Sequence, residues 1–379
     1  FWDKEYLTVD NHPGSPYYGR AYLTVTRFQN GLQGSYLDSP IFLSYSDDGG
    51  LTWSDPQQIS GSNPAYCTYQ EDGPAGECDE DQFSYPAVAS DGTLYVHFAN
   101  YQNEAEWEVS FDFDAQLMVV KSTDGGVTFS DPVPAAQLED GLSDTPYSVI
   151  GSQTVWGHQI RWTSVGNIAV DPANPDHVTV VWADRGTANP NATEECNFST
   201  GTAPNYDPCD AGPGSNLSVY RSDSYDGGAS WTGRTLIDDA SGKSQWFVWS
   251  DYKSDGTLVA AWDEDTAPAP ADTFVHVLWV DGGSKEVLGP EENIDVSVTH
   301  WAGQYTTAWP EICGPAGSDT AGKGCNVFHG DYTGLAVGPD DSINVVWTGL
   351  NVLVTSPQVD FYTGELRQGY RQDAMFARR

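Results

Sequence analysis

The sequence predicts an all-β chain built from repeated four-stranded antiparallel units. Three observations carry this. Acid comes mainly from aspartate, 38 Asp against 16 Glu, and 39 Gly and 23 Pro are spread along the 379 residues; these types favour turns and caps over helix interiors. Short runs rich in Val, Leu, Tyr and Trp recur between Gly/Asp/Pro clusters, as strands do between turns. One eight-residue turn motif occurs three times.

The runs fall into sets with a common order. The first holds Glu5–Val9, Ala21–Thr26 and Ile41–Tyr45; the second Ser84–Ala89, Thr93–Phe98 and Gln116–Lys121. The third holds Ser164–Val170, Val178–Ala183 and Leu217–Arg221, and the fourth Phe247–Tyr252, Thr257–Trp262 and Phe274–Val280. The fifth holds Thr333–Val337, Ser342–Trp347 and Ala374–Arg378. A fourth strand follows the turn motif in the first four sets. The units span roughly 1–60, 82–136, 160–238, 245–297 and 326–379 of a single domain, 1–379.

The turn motif reads S-x-D-x-G-x-T-W. Its copies are Ser46, Asp48, Gly50 and Trp53; Ser122, Asp124, Gly126 and Phe129; and Ser224, Asp226, Gly228 and Trp231. Asp281-Gly282-Gly283 is a degenerate fourth. Ser and Asp side chains bond turn amides, the glycines admit positive φ, and the aromatic packs beneath. This resembles the Asp-box (BNR) repeat of sialidase-like β-propellers. The resemblance implies a β-propeller of four-stranded antiparallel blades, with the boxes as structural turns on the face away from the active site. Five blades are visible, and the fifth lacks an outer strand. A sixth blade and the closing strand are expected from a segment upstream of Phe1 or from a partner chain.

On such a scaffold the long loops Ser60–Asp81, Tyr101–Asp114, Asp140–Gln159, Arg185–Ser215, Val298–Gly330 and Leu350–Asp373 share the face opposite the boxes. They hold all six cysteines, read as the local pairs Cys67–Cys78, Cys196–Cys209 and Cys313–Cys325. They also hold most of the sequon stretch, with Asn191, Asn197 and Asn216 as glycosylation candidates. Disulfides point to an oxidising compartment, hence an extracellular or cell-surface protein whose signal peptide has been removed. Function is expected on this loop face. Its aromatic residues Trp107, Trp156, Trp301, Tyr305, Trp309 and Tyr362 suit stacking on sugar rings, with acids beside them to bond hydroxyls.

The net charge is −38. It argues against nucleic acid and anionic membrane surfaces, and no apolar run is long enough for a membrane span. The resemblance implies three arginines on a substrate carboxylate, a tyrosine nucleophile and an Asp acid/base. The candidates here are Arg161, Arg185 and Arg371 with Tyr332 and Asp331. The family's Arg-Ile-Pro-like motif is absent, and the charge opposes an anionic sugar. Hydrolysis of a neutral glycan needs two carboxylates, one with a raised pKa; Asp3, Asp81, Asp184, Asp263, Glu264, Asp265 and Asp331 stand at strand ends facing the mouth. No cofactor is required. A structural Ca²⁺ is the one ion considered, at Asp263 and Asp265 or at Asp112 and Asp114. The expected function is a glycan- or protein-binding or assembly module acting through its stapled loop face, with a glycoside hydrolase on the same scaffold as the alternative.

Overall fold

The computed structural model describes residues 1–32, 36–68, 74–103, 115–138, 163, 165–185, 217–238, 243–266, 273–289, 292–293, 333–359 and 366–379. For residues 185, 273–274, 292–293, 350–359 and 366–373 the backbone alone is described. No helix among these residues is long and apolar enough to cross a membrane.

The fold is an all-β propeller of five blades. The first contains β1 (Trp2–Val9), β2 (Ala21–Arg27), β5 (Ile41–Ser46) and β6 (Gln57–Gln58), paired in that order, with a ribbon of β3 (Gln29–Asn30) and β4 (Tyr36–Asp38) between β2 and β5. The second runs β7 (Asp81–Val88), β8 (Leu94–Asn100), β9 (Gln116–Ser122) and β10 (Val133–Gln137). The third runs β11 (Val165–Val170), β12 (Val178–Arg185), β13 (Leu217–Ser224) and β14 (Thr235–Asp238). The fourth runs β15 (Gln245–Tyr252), β16 (Leu258–Asp265), β17 (Thr273–Val280) and β18 (Glu286–Val287), with β19 (Glu292–Asn293) also on β17. The fifth has three strands among the described residues, β20 (Gly334–Val337), β21 (Ile343–Val359) and β22 (Leu366–Arg378).

Every predicted innermost, second and third strand is present, with ends within a few residues of those predicted except in the fifth blade, where the second runs on to Val359 and the third begins at Leu366. One loop expectation is corrected. Residues 350–359 and 366–373 are not loop but the extended arms of the β21–β22 hairpin, where Arg371 pairs in register with Val352. The run Val352-Leu353-Val354-Thr355 has strand propensity and carries the pairing past the register shift at Gly349.

Consecutive blades pack through their inner strands. Trp182, Trp246 and Trp262 are fully buried between sheets, as are Tyr22, Leu94 and Phe98. β8 and β16 are covered on both faces and buried along their whole length, so their apolar stretches Leu94–Val96 and Leu258–Trp262 do not alternate with polar residues. By contrast β1 alternates, because one of its faces is uncovered: Trp2 and Leu7 are about half exposed, as is Val346 on the outward face of the fifth blade.

The three turn motifs fold alike. In each, the serine hydroxyl donates to the aspartate (Ser46 to Asp48 2.9 Å, Ser122 to Asp124 2.8 Å, Ser224 to Asp226 2.9 Å) and accepts from the second glycine amide. The aspartate then accepts both the amide and the hydroxyl of Thr52, Thr128 or Ser230. Both glycines of each copy have positive φ, for example 74° and 85° at Gly49 and Gly50. The degenerate copy keeps a turn with Gly282 at φ 70°, but Asp281 instead pairs with Arg221 at 2.9 Å. Without a serine at the first position there is nothing to hold the aspartate in the turn.

These bonds hold the Asp48, Asp124 and Asp226 carboxyls down to about 2, the hydroxyl and amide of Thr52, Thr128 and Ser230 being the main cause. A carboxyl depressed in the folded state stabilises above its ordinary value near 3.8 and loses that contribution as pH falls through about 2. Asp124→Asn is therefore expected to lower the melting temperature at pH 7 and to narrow its gap to the parent between pH 4 and pH 2. A gap independent of pH in thermal melts would exclude this account.

Candidate functional site

The innermost strands of four blades share one irregularity. Register slips by one residue between Asp3 and Tyr6, Gln82 and Tyr85, Val165 and Ile168, and Trp246 and Trp249. Each slip is a β-bulge toward the loop-face end of its strand. Lys4, Phe83 and Phe247 occupy the same place in three of them, with φ of 59°, 56° and 53°. The left-handed region is strained for such side chains and persists only where surrounding structure enforces it. In the third blade that place is Gly166. Bulges re-aim side chains and are enriched beside active sites. Here they turn Tyr6, Tyr85 and Trp249 onto the axis, where the rings meet at centroid distances of 5.0 Å (Tyr6–Tyr85), 5.0 Å (Tyr85–Trp249) and 5.4 Å (Tyr6–Trp249).

At the loop-face ends of the second strands an aromatic residue is followed two positions later by a polar one: Phe98 and Asn100, Trp182 and Asp184, Trp262 and Glu264. The intervening residue is on the opposite face of the strand, so both members of a pair share one side. In the third and fourth blades the acid is matched by cations. Asp184, fully buried, binds Arg234 at 2.9 Å, and that guanidinium lies 3.8 Å over Tyr220. Glu264 binds Lys243 at 3.2 Å and Lys285 at 2.8 Å. Asp263, on the other face, bonds His276 Nδ1 at 2.6 Å, and the imidazole stacks on Trp347 at 4.8 Å. Asp265 accepts the Ser244 amide. Asp263 and Asp265 are thus engaged by protein groups, and among the described residues no three His, Cys, Asp or Glu side chains converge as metal ligands would.

The second blade differs. Asn100 donates to Asp81, 2.7 Å, and to Gln102, 2.8 Å, and Gln102 donates to Asp79, 2.8 Å. Among the described residues no lysine or arginine pairs with Asp79 or Asp81. Burial pushes Asp79 up to about 6, helped by the charges of Glu77 and Asp38. Burial also raises Asp81 well above the usual carboxylate range. Cys67–Cys78 staples the loop that carries Glu77 and Asp79, closing it over 11 residues. Between this loop and the first blade lies a cleft of about 270 Å³ lined by Arg27, Gln29, Asp38, Gln58, Glu77 and Asp79 among others. Arg27 reaches Asp38 at 3.3 Å and rests 4.7 Å over Phe42; Gln58 donates to Glu77 at 2.8 Å. The cleft therefore offers amide and guanidinium donors, carboxylate acceptors and one carboxyl that keeps its proton closer to neutrality than an ordinary aspartate.

That raised carboxyl has a consequence for stability. A group whose folded value exceeds its ordinary 3.8 favours the folded state at low pH and loses this as pH climbs from about 4 through about 6. Asp79→Asn keeps an acceptor for Gln102 and removes the titration. The variant is expected to gain melting temperature relative to the parent as pH rises from 4 to 7. A parent–variant difference that stays flat over that range would refute the assignment.

Of the residues singled out from sequence, the structure brings Asp81 into this cluster and shows Cys67 and Cys78 bonded. Arg185 and Arg371 lie at the end of β12 and within β22. Arg20 and Arg27 stand at opposite ends of β2, and Arg20 is held on the box face by Asp47 and the Gly125 carbonyl, so these two do not converge. Arg161, Asp331, Tyr332, Trp107, Trp156, Trp301, Tyr305, Trp309, Tyr362, Asp112, Asp114, Cys196, Cys209, Cys313, Cys325, Asn191, Asn197 and Asn216 lie outside the described residues. Sequence reasoning missed Asp38, Glu77, Asp79 and Arg234. Asp38 ends β4 of the first blade, Glu77 and Asp79 lie in the loop that leads into the second, and only the fold joins them. The aromatic-x-acid repeat at the ends of β12 and β16 was a readable signal for Arg234.

No family model matches the chain, and no curated protein matches it. Solved structures do. A protein of unknown function from Dyadobacter fermentans is 15% identical, with a TM-score of 0.48 over 99% of this chain and 82% of that one. A Hadza microbial sialidase is 15% identical, with a TM-score of 0.40 over 73% of this chain and 44% of that one. An alpha-L-arabinofuranosidase from Fusarium graminearum is 10% identical, with a TM-score of 0.40 over 97% of this chain and 76% of that one.

Proposed function

We propose that this is a secreted propeller module whose loop face binds a neutral glycan, with the Arg27–Asp38–Glu77–Asp79 cleft as one of its contact points. The observation that carries the reading is the cleft itself: donors and acceptors line one concavity on a disulfide-stapled loop. Vicinal hydroxyls need both kinds of partner, since each donates and accepts. The net charge of −38 selects against sialylated or other anionic ligands. Outside this cluster the described loop-face acids Asp184, Asp263 and Glu264 are engaged by Arg234, His276 and two lysines. Fixed pairs of that sort build a rigid platform and leave few carboxylates for chemistry.

Calorimetric titration with neutral oligosaccharides tests this directly. Binding that is lost in Arg27→Ala and in Asp38→Asn, with sialylated counterparts silent, is the expected result. Equal binding by those variants would remove the cleft from the site.

A hydrolytic reading is favoured by one observation, the raised carboxyl of Asp79 beside two other carboxyls. That is the acid half of a glycosidase pair. Release of aryl alcohol from neutral aryl glycosides, abolished by Asp79→Asn, would establish it. Absence of turnover where binding is measured leaves the module reading in place.

A further inference from the structure

The cavity at the centre of the propeller is separate from the loop-face cleft. It has a volume of about 630 Å³ and is lined by all five innermost strands. It runs to the turns joining first and second strands, the face that carries the hairpin motifs. Its inner end is closed by the Tyr6, Tyr85 and Trp249 rings.

Each innermost strand is the edge of its sheet. An edge strand presents a row of unpaired N–H and C=O groups. Side chains cap four of these edges. His12 Nε2 is 3.0 Å from the Val88 carbonyl. Asn167 donates to the carbonyls of Ile168 and Ser250 and accepts from the Ser250 amide. Asp251 accepts the Val337 amide at 2.8 Å. Among the described residues, Tyr6–Val9 of β1 have no such cap and only the ladder to β2. These same residues line the cavity, whose described walls hold the carboxyls of Asp251 and Asp341 and no lysine or arginine.

We propose that this cavity is a binding site for a short extended peptide carrying positive charge, which adds as a strand to the free edge of β1. The outward-facing main-chain groups of Leu7 and Val9 supply the affinity, as in other strand additions. The aromatic rings at the inner end receive an apolar side chain. The acid walls and the field of a chain at −38 attract the cationic one and reject acidic peptides.

The probe is a terminally blocked pentapeptide alternating Val and Lys, titrated by calorimetry into the full chain and followed by amide hydrogen exchange. Saturable binding is expected, weakening as salt is raised, with new protection at the Leu7 and Val9 amides. Methylating the alternate amide nitrogens removes strand pairing while leaving side chains and charge. It is expected to weaken affinity about tenfold or more, since each lost hydrogen bond contributes on the order of a factor of five to ten. A Val/Glu peptide is expected not to bind. Val9→Pro would remove an edge amide but risks the fold, so the peptide series decides. Equal affinity of the methylated peptide, protection away from β1, or no binding at millimolar peptide would each overturn the proposal.

Discussion

Gly166→Ala is expected to destabilise the protein by about 3 kcal/mol or more. A Cβ at this position would stand 2.1 Å from the Val181 carbonyl oxygen, 2.8 Å from its carbon and 3.1 Å from a Val248 methyl. Two of these are backbone atoms of the neighbouring strand, so no rotamer change relieves the overlap. The bulge in β11 has drawn the chain against β12, and a methyl group there must push these two strands of the third blade apart while pressing on Val248 of the fourth. Val165 and Ile168 on either side are buried in the inter-blade core, and the disturbance spreads into it. Urea unfolding followed by near-ultraviolet circular dichroism measures the loss. Gly14→Ala is the control, because a methyl group added there would meet nothing within 4 Å and the φ of Gly14 is not positive; that change is expected to fall within about 0.5 kcal/mol of the parent. Similar losses in both variants would mean that Gly166 has no special role.

This position also shows where sequence reading stops. The strand Ser164–Val170 was readable from its apolar, β-branched run, and so were the strands on either side. Neither the bulge nor the close approach was, because both depend on which residue of β12 faces Gly166. The turn motifs were legible down to individual hydrogen bonds, since every partner lies within eight residues. The same locality made Cys67–Cys78 readable. The candidate cleft was not, for the opposite reason: Arg27 and Asp38 come from the first blade, Glu77 and Asp79 from the loop that leads into the second. A count of acids at strand ends could name Asp81, but not say which acids find cations. Asp184 and Glu264 find them in Arg234, Lys243 and Lys285; Asp79 finds none among the described residues, and this difference sets it apart chemically.

The two faces of the propeller thus do different physical work. Box-face turns are closed by local bonds and knit neighbouring blades, as when Arg20 reaches the Gly125 carbonyl and Lys121 the Gly227 carbonyl, each at 2.7 Å. At the loop-face ends of the strands, charge is paired across strands, and among the described residues His97 is buried without a partner for either ring nitrogen. Burial takes its pKa down to about 3, so it is neutral at any physiological pH. A neutral imidazole stacked on Tyr85 at 5.8 Å serves as packing, and it is not a candidate acid or base there.

Asn167→Leu is expected to cost about 3 kcal/mol, although it keeps the side chain's approximate volume. Asn167 sits in the β11 bulge and behaves toward β15 as a strand would. Its Nδ2 donates to the Ser250 carbonyl at 2.9 Å, and its Oδ1 accepts the Ser250 amide at 2.8 Å. Both partners are backbone groups on a strand edge, and Ser250 is buried. Leucine leaves a donor and an acceptor unpaired at once, each costing about 1–3 kcal/mol when water cannot replace the lost bond. Asn167→Asp discriminates further. A carboxylate still accepts from the amide but opposes the carbonyl, so this variant is expected to recover stability as pH falls and the carboxyl gains a proton to donate. Ser250→Ala removes only the hydroxyl bond at 3.2 Å and is expected to change little. Denaturant midpoints for the three variants separate the explanations. A small loss in Asn167→Leu would show that water from the central cavity satisfies Ser250. A large loss in Ser250→Ala would shift the weight of this joint from the backbone to the hydroxyl.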